Sequence, residues 1–276
     1  AVIGNVHPND RVIAYLKYIP DESGKWGRSR RRYRRALEHY NVPSFVESMQ
    51  FLRTNAPHYL YESTVHGVPL SAVAIERIVE HLRPEDRLTE LRGSGDHDEL
   101  EQRALRLAEL LAHGADLPMG SLGLTGSLLA RMHDPTFSDI DIVVYGLENA
   151  LRIRSLVKQL KDTPSGVLRE LTGDPREKWI AERLLSTPLT RDNATRLLLR
   201  KWNVGIFDAT DFSIHAVHAE AEVEERYGDE CYIPIAIVEA TARVTDSGES
   251  LFMPAVYKVE SANLKQIIRK YKVDQI

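Results

Sequence analysis

The sequence predicts an α/β (α+β) fold: a mixed sheet with helices, flanked by β-rich segments at both ends of the chain. Three observations carry this. Residues 122–146 read as strand, tight turn, short helix, loop and second strand. Amphipathic helical patterns at 99–113 and 147–161 and two further helices at 175–185 and 191–202 surround that unit and lead to strand patterns at 203–208 and 211–217. Strand-like runs bounded by turn residues occupy both ends. The expected organisation is a β-rich and α accessory region at 1–92, an α/β domain at 93–218, and a β-rich segment at 219–276 that can pack with the first region.

In chain order, residues 1–20 read as a β-hairpin, with strands at 1–6 and 12–19 around the turn His7-Pro8-Asn9-Asp10. A loop containing Trp26 follows. Arg28-Ser29-Arg30-Arg31-Arg32-Tyr33-Arg34-Arg35 then places six arginines in eight residues. One reading is a contact to nucleic-acid phosphates by Arg28, Arg30, Arg31, Arg32, Arg34 and Arg35, with Trp26 and Tyr33 stacking on a base. The other is a solvated edge strand or loop paired with nearby acids. Residues 44–55 form a short helix capped by Ser44 with Glu47 three residues on. Residues 71–81 are a helix or a strand–helix mix ended by Pro84. Arg92-Gly93-Ser94-Gly95 reads as a linker. Asp96 or Asp98 caps the helix at 99–113, whose Leu100, Ala104, Leu107, Leu110 and Leu111 share a face, and Gly114 ends it.

The chemistry-bearing residues lie at 122–146. Side chains two apart on a strand share a face, so Asp139 and Asp141 point one way while Ile140 and Ile142 point into the sheet. Two carboxylates about 6–7 Å apart along a strand repel unless a cation sits between them. Mg²⁺ takes oxygen ligands, often one or two carboxylates completed by substrate phosphate. Gly126-Ser127 complements this, because a small-residue turn opening a helix offers N–H groups and a positive dipole end to a phosphate. The glycines at 120, 123 and 126 fit neither a dinucleotide fingerprint nor a Walker loop.

Gly126-Ser127, an eleven-residue gap (128–138) and Asp139-Ile140-Asp141 together resemble the nucleotidyltransferase signature of the DNA polymerase beta superfamily over roughly residues 100–218. The stretches His7 to Pro20, Ser138 to Gly146 and Ser247 to Glu260 more narrowly resemble an uncharacterised archaeal family of predicted nucleotidyltransferases. The resemblance implies transfer of a nucleoside monophosphate from a nucleoside triphosphate (NTP) to a hydroxyl, with release of pyrophosphate. It implies Mg²⁺ or Mn²⁺ held by Asp139, Asp141 and a third carboxylate, and phosphates held by Gly126 and Ser127. Asp211, heading an apolar strand, best matches the third ligand and Asp208 comes second; a plain turn role for both is the alternative. Arg196 and Arg200, four apart on a helix, either reach the triphosphate or form a solvated face. His215 and His218 are three apart on a strand, poor joint ligands, and read as structural or solvent-facing. A catalytically inactive nucleic-acid-binding protein on the same scaffold is the second reading.

Composition bounds the rest. No apolar run approaches the roughly 20 residues that span a membrane. The single cysteine, Cys231, allows no disulfide within the chain and fits a cytoplasmic protein. Arginine exceeds lysine and glutamine is scarce, a thermophile's balance. A net charge of −4 makes any nucleic-acid contact local, RNA among the candidates. The first residue is not Met and the end carries no stop signal, so segments are expected beyond both ends. The acceptor, the base preference and the oligomeric state have no signature.

Overall fold

The structure, a computed structural model, describes residues 1–27, 31–37, 41–163, 166–233 and 235–270. It is a mixed α/β fold. Its elements begin with β1 (Arg11–Ile13), β2 (Tyr18–Pro20), β3 (Tyr33–Arg35), α1 (Val42–Asn55), β4 (Leu60–Ser63), β5 (Val68–Ala74), α2 (Pro84–Gly93) and α3 (Glu99–Gly114). Then come β6 (Leu122–Leu124), α4 (Gly126–Leu129), β7 (Ile140–Tyr145), α5 (Leu147–Asp162), β8 (Leu168–Arg169), α6 (Gly173–Ser186) and α7 (Arg191–Arg200). The last four are β9 (Val204–Phe207), β10 (Thr210–Val217), β11 (Ala236–Asp246) and β12 (Lys258–Lys270). The chain divides into two compact units. One comprises Ala1–Tyr15, Met49–Ile78 and Glu220–Ile276; the other comprises Leu16–Ser48 and Val79–Ala219.

The second unit is built on a five-stranded sheet in the order β6-β7-β10-β9-β8. Only the β7–β10 pair is parallel. The long excursion between those strands, through α5, β8, α6, α7 and β9, is what a parallel pairing requires. Alternation sets the faces. Ile140, Ile142, Val144, Phe212 and Ile214 are buried, and Leu122 and Leu124 of β6 join them. Leu100, Leu107 and Leu111 of α3 and Ile153 and Val157 of α5 are fully buried as well. A smaller cluster gathers Leu171, Ile180, Ala194 and Leu198, with Trp179, Val204 and Ile206 packed on it. Asp98 caps α3 with a complete capping box: its carboxylate accepts from Glu101 N–H at 3.0 Å, and the Glu101 carboxylate accepts from Asp98 N–H at 3.1 Å.

In the first unit, β1 pairs with β5 and β5 with β4, all antiparallel. The expected N-terminal hairpin is present in short form: Val2 bridges Ala14, Ile3 N–H donates to the Ile13 carbonyl at 3.1 Å and Tyr15 N–H to the Ala1 carbonyl at 2.9 Å. Gly4 at φ +67° turns the chain out of the extended region, so the first strand cannot run on. Residues 71–81 form the strand–helix mix, one of the two expectations: β5 runs to Ala74, a single 3-10 turn spans Ile75–Arg77, and 78–81 are irregular. The acidic stretch 220–230 holds only a 3-10 turn at Glu220–Glu222, as mutually repelling glutamates before Gly228 would favour. β11 and β12 pair antiparallel, with a 3-10 turn at Gly248–Leu251 in the connection between them.

Candidate active site

Asp139 immediately precedes β7, and Asp141 is its second residue. The parallel ladder sets Phe212 opposite Ile140 and Ser213 opposite Asp141. Continuing that register one step brings Asp211 alongside Asp139. Asp141, Asp211, Ser213 and His215 therefore line one sheet face, while Ile140, Ile142, Phe212 and Ile214 fill the other. Ser213 Oγ donates to Asp141 Oδ1 and lies 2.6 Å from His215 Nε2, which is itself 3.6 Å from Asp141 Oδ1. His215 is solvent-facing, as expected, with its side chain 49% exposed, and it is also tied into this cluster.

Gly126 approaches the same carboxylate from β6. Thr125 N–H donates to the Asp141 carbonyl at 2.9 Å, joining the two strands at the turn. Gly126 has φ +66°, and a Cβ placed on it would lie 2.1 Å from Asp141 Oδ2. Here glycine is required twice, by conformation and by space. The next residue, Ser127, is 4% exposed, and its Oγ is buried with no hydrogen-bond partner among the described residues. A buried hydroxyl without a partner is costly unless a ligand supplies one. The helix that follows is a single turn, Gly126–Leu129, so its dipole is smaller than the sequence suggested and the turn's donor groups carry more of any anion contact.

The electrostatics of the two aspartates differ. Asp139 is solvent-exposed, yet crowding by the surrounding protein, followed by repulsion from Asp141, pushes its carboxyl up to about 6. Burial would likewise raise Asp141, but the neighbouring His215 ring and the Ser213 hydrogen bond outweigh it and hold that carboxyl below its ordinary value. Asp211 is raised by burial. Three cations temper the site: Arg35 and Lys178 act on Asp139, Lys178 on Asp211, and Lys17 on Asp141. Among the described residues none of the three is held in a salt bridge.

Asp139 yields a prediction about stability. Its folded pKa lies above the ordinary value of 3.8, so the folded chain takes up this proton before the unfolded chain does. Its contribution to stability is complete below about pH 4 and is lost as pH rises through about 6. Asp139→Asn removes the penalty: without divalent cations its Tm at pH 7 should exceed wild type by about a degree, since solvent screens an exposed carboxylate, converging below pH 4. Parallel Tm curves from pH 4 to 8 would show that Asp139 is not desolvated.

The other expected residues are dispersed. Asp208, the second choice for third ligand, sits with Ala209 in the two-residue β9–β10 turn, both at positive φ. Its carboxylate pairs with Arg106 and lies 3.7 Å from Arg103 Nε. Arg196 forms an exposed pair with Asp192 at 3.0 Å and Arg200 is exposed, while Ala194 and Leu198 form the buried face of α7. Of the arginine run, Arg28 and Arg30 lie outside the described residues. Arg31 and Arg32 are exposed, Arg34 pairs with Asp21 at 3.2 Å, and Arg35 lies 4.5 Å over the Trp26 ring. Trp26 is not available for base stacking: it is 5% exposed, with Tyr18 and Phe137 against it at 6.0 and 5.2 Å.

Sequence reasoning missed Ser213, Lys17 and Lys178 and did not join His215 to the site. The alternation Asp211, Ser213, His215 was readable as one strand face. Its placement against Asp141 depends on a register that no local signal encodes. A second polar cluster, Asp98, Glu101 and His133, brings possible ligand atoms within 4.8 Å of one another. Its oxygens serve the α3 cap, the His133 ring at 2.7 Å and the Arg87 guanidinium, which suits a brace more than a cation site.

Comparison with known proteins gives one relative. The chain is 29% identical over 270 residues to the uncharacterized protein MJ1086 of Methanocaldococcus jannaschii, covering 97% of this chain and 78% of that protein. No family model matches the chain, and no solved structure matches it. Among the described residues no helix is long and apolar enough to cross a membrane.

Proposed function

We propose that this chain is a divalent-cation-dependent nucleotidyltransferase of the DNA polymerase beta type. It would transfer a nucleoside monophosphate from an NTP to a hydroxyl acceptor and release pyrophosphate. The observation that carries this is the meeting of the acidic pair with the Gly126 turn. Asp141 Oδ2 lies so near Gly126 that no side chain fits between them, and the adjoining Ser127 hydroxyl is buried without a partner among the described residues. A site that repels its own carboxylates and offers an idle donor beside them suits a cation and a phosphate together.

Asp139 and Asp141, with Asp211 in register, would hold Mg²⁺ or Mn²⁺. When bound, the cation would lower the pKa of the acceptor hydroxyl and neutralise charge on the departing pyrophosphate. Ser127 Oγ–H and the turn's N–H groups would donate to phosphate oxygens. Lys17, Arg35 and Lys178, none of them in a salt bridge among the described residues, would supply positive charge against the triphosphate. The arginine run fits the inactive nucleic-acid-binding reading less well, because Arg34 and Arg35 are engaged within the protein.

The test is binding of each labelled NTP with Mg²⁺ or Mn²⁺ and then with EDTA, on wild type and on Asp139→Ala/Asp141→Ala. Cation-dependent binding that disappears in the double variant supports the reading. No binding of any NTP sinks it, and nucleic-acid affinity that survives in the double variant would favour the inactive scaffold.

A further inference from the structure

Ser213 faces Asp141 directly across the parallel β7–β10 ladder. Its hydroxyl has one proton, and that proton is donated to Asp141 Oδ1. The 2.6 Å contact between Ser213 Oγ and His215 Nε2 must then be made by an Nε2–H donating to Oγ. His215 thus fixes the rotation of the hydroxyl, and Ser213 fixes one carboxylate oxygen. Both residues lie on β10, in the interior of the sheet, so the arrangement has a rigid base.

The two oxygens of Asp141 are consequently unlike. Oδ1 is committed to the protein. Oδ2 accepts no hydrogen bond among the described residues and faces the Gly126 turn. A carboxylate with both oxygens free can grip a cation with one or with two. Ca²⁺ takes six to eight oxygens and readily accepts two from one carboxylate, whereas Mg²⁺ demands near-octahedral single contacts, and Mn²⁺ also occupies octahedral oxygen sites. We propose that Ser213, held by His215, restricts Asp141 to a single available oxygen and so sets the preference of this site for small octahedral cations over Ca²⁺. This deepens the proposed function and rests on it. Ser213 is a positioning residue in this account.

The test uses the full chain. Free Mn²⁺ is followed by electron paramagnetic resonance during titration and then during competition with Ca²⁺, for wild type, Ser213→Ala, Ser213→Thr and Asp141→Asn. Ser213→Ala should shift the Ca²⁺-to-Mn²⁺ affinity ratio toward Ca²⁺ by about 10-fold, the lower end of what loss of a ligand's hydrogen-bond partner does to metal affinity. Ser213→Thr keeps the hydroxyl on a strand that accommodates a β-branched side chain and should keep the wild-type ratio. An unchanged ratio in Ser213→Ala, even with both affinities lowered, overturns the proposal. So does a Ser213→Thr variant that behaves like Ser213→Ala, because packing would then be the cause. Asp141→Asn separates the two levels: if it binds Mn²⁺ as wild type does, the cation is not at Asp141 and the functional reading falls with the inference.

Discussion

Gly126→Ala is expected to weaken Mn²⁺ and NTP binding by about 10–100-fold, the loss that disturbing the orientation of a metal ligand brings. The alanine Cβ would stand 2.1 Å from Asp141 Oδ2. No rotation of the methyl relieves that overlap, so the carboxylate must move. The movement pulls against the Ser213 hydrogen bond on the other oxygen. A second cost is conformational, because φ +66° disfavours alanine by roughly 1–2 kcal/mol. The two costs separate in a double-variant cycle. With Asp141→Ala already present, the nearest remaining atom of residue 141 is its Cβ at 3.4 Å, an ordinary contact. Gly126→Ala should then lower stability only by the conformational part. Chemical unfolding and Mn²⁺ titration of the four proteins measure both quantities. Wild-type binding by Gly126→Ala would mean that Asp141 yields freely and that the close approach has no role.

Arg87→Ala is expected to destabilise the chain by about 3–5 kcal/mol, the range for removing one partner of a buried charge pair. Arg87, on α2, is 8% exposed although fully charged. Its Nε donates to the Leu128 carbonyl at 3.1 Å, and its two terminal nitrogens pair with Glu90 and Glu101. Truncation would strand the Glu101 carboxylate, 12% exposed, and leave the end of α4 without its donor. Arg87→Met should cost nearly as much, since shape without charge does not help Glu101. Adding Glu101→Gln should recover part of the loss: the amide oxygen can still accept from Asp98 N–H, and no buried charge remains. Urea unfolding midpoints decide this. A loss below about 1 kcal/mol in Arg87→Ala would place the guanidinium effectively in water, where ion pairs contribute little.

The parts of the site that were legible in the sequence are those within one local unit. Gly126, Ser127, Asp139 and Asp141 are separated by a short helix and loop, and strand alternation alone gives the orientation of the aspartates. The helices α3, α5 and α7 were likewise legible from amphipathic spacing and caps. The hidden parts depend on long-range pairing. Ser213 meets Asp141 across 72 residues, and its value as a partner follows from a ladder register that hydrophobic pattern leaves open. Arg87 carried no signal because a buried arginine and an exposed one read alike until their partners are placed. Trp26 misled for a related reason: an aromatic beside arginines suggests a stacking platform, yet Tyr18, Phe137 and Arg35 already cover it.

The parallel pairing of β7 and β10 also governs when the site comes into being. The hairpin from β6 to β7 can close early, bringing Gly126 and Asp141 together through nearby contacts. Asp211 and Ser213 arrive only after five intervening elements have been threaded and the long crossover has closed, a non-local step that slows folding. A nascent chain released before β10 would hold the paired aspartates without the strand that orients them. Under the proposed function, competence for cation binding would thus be a late property of this polypeptide, acquired when the crossover docks rather than when its acidic motif is made.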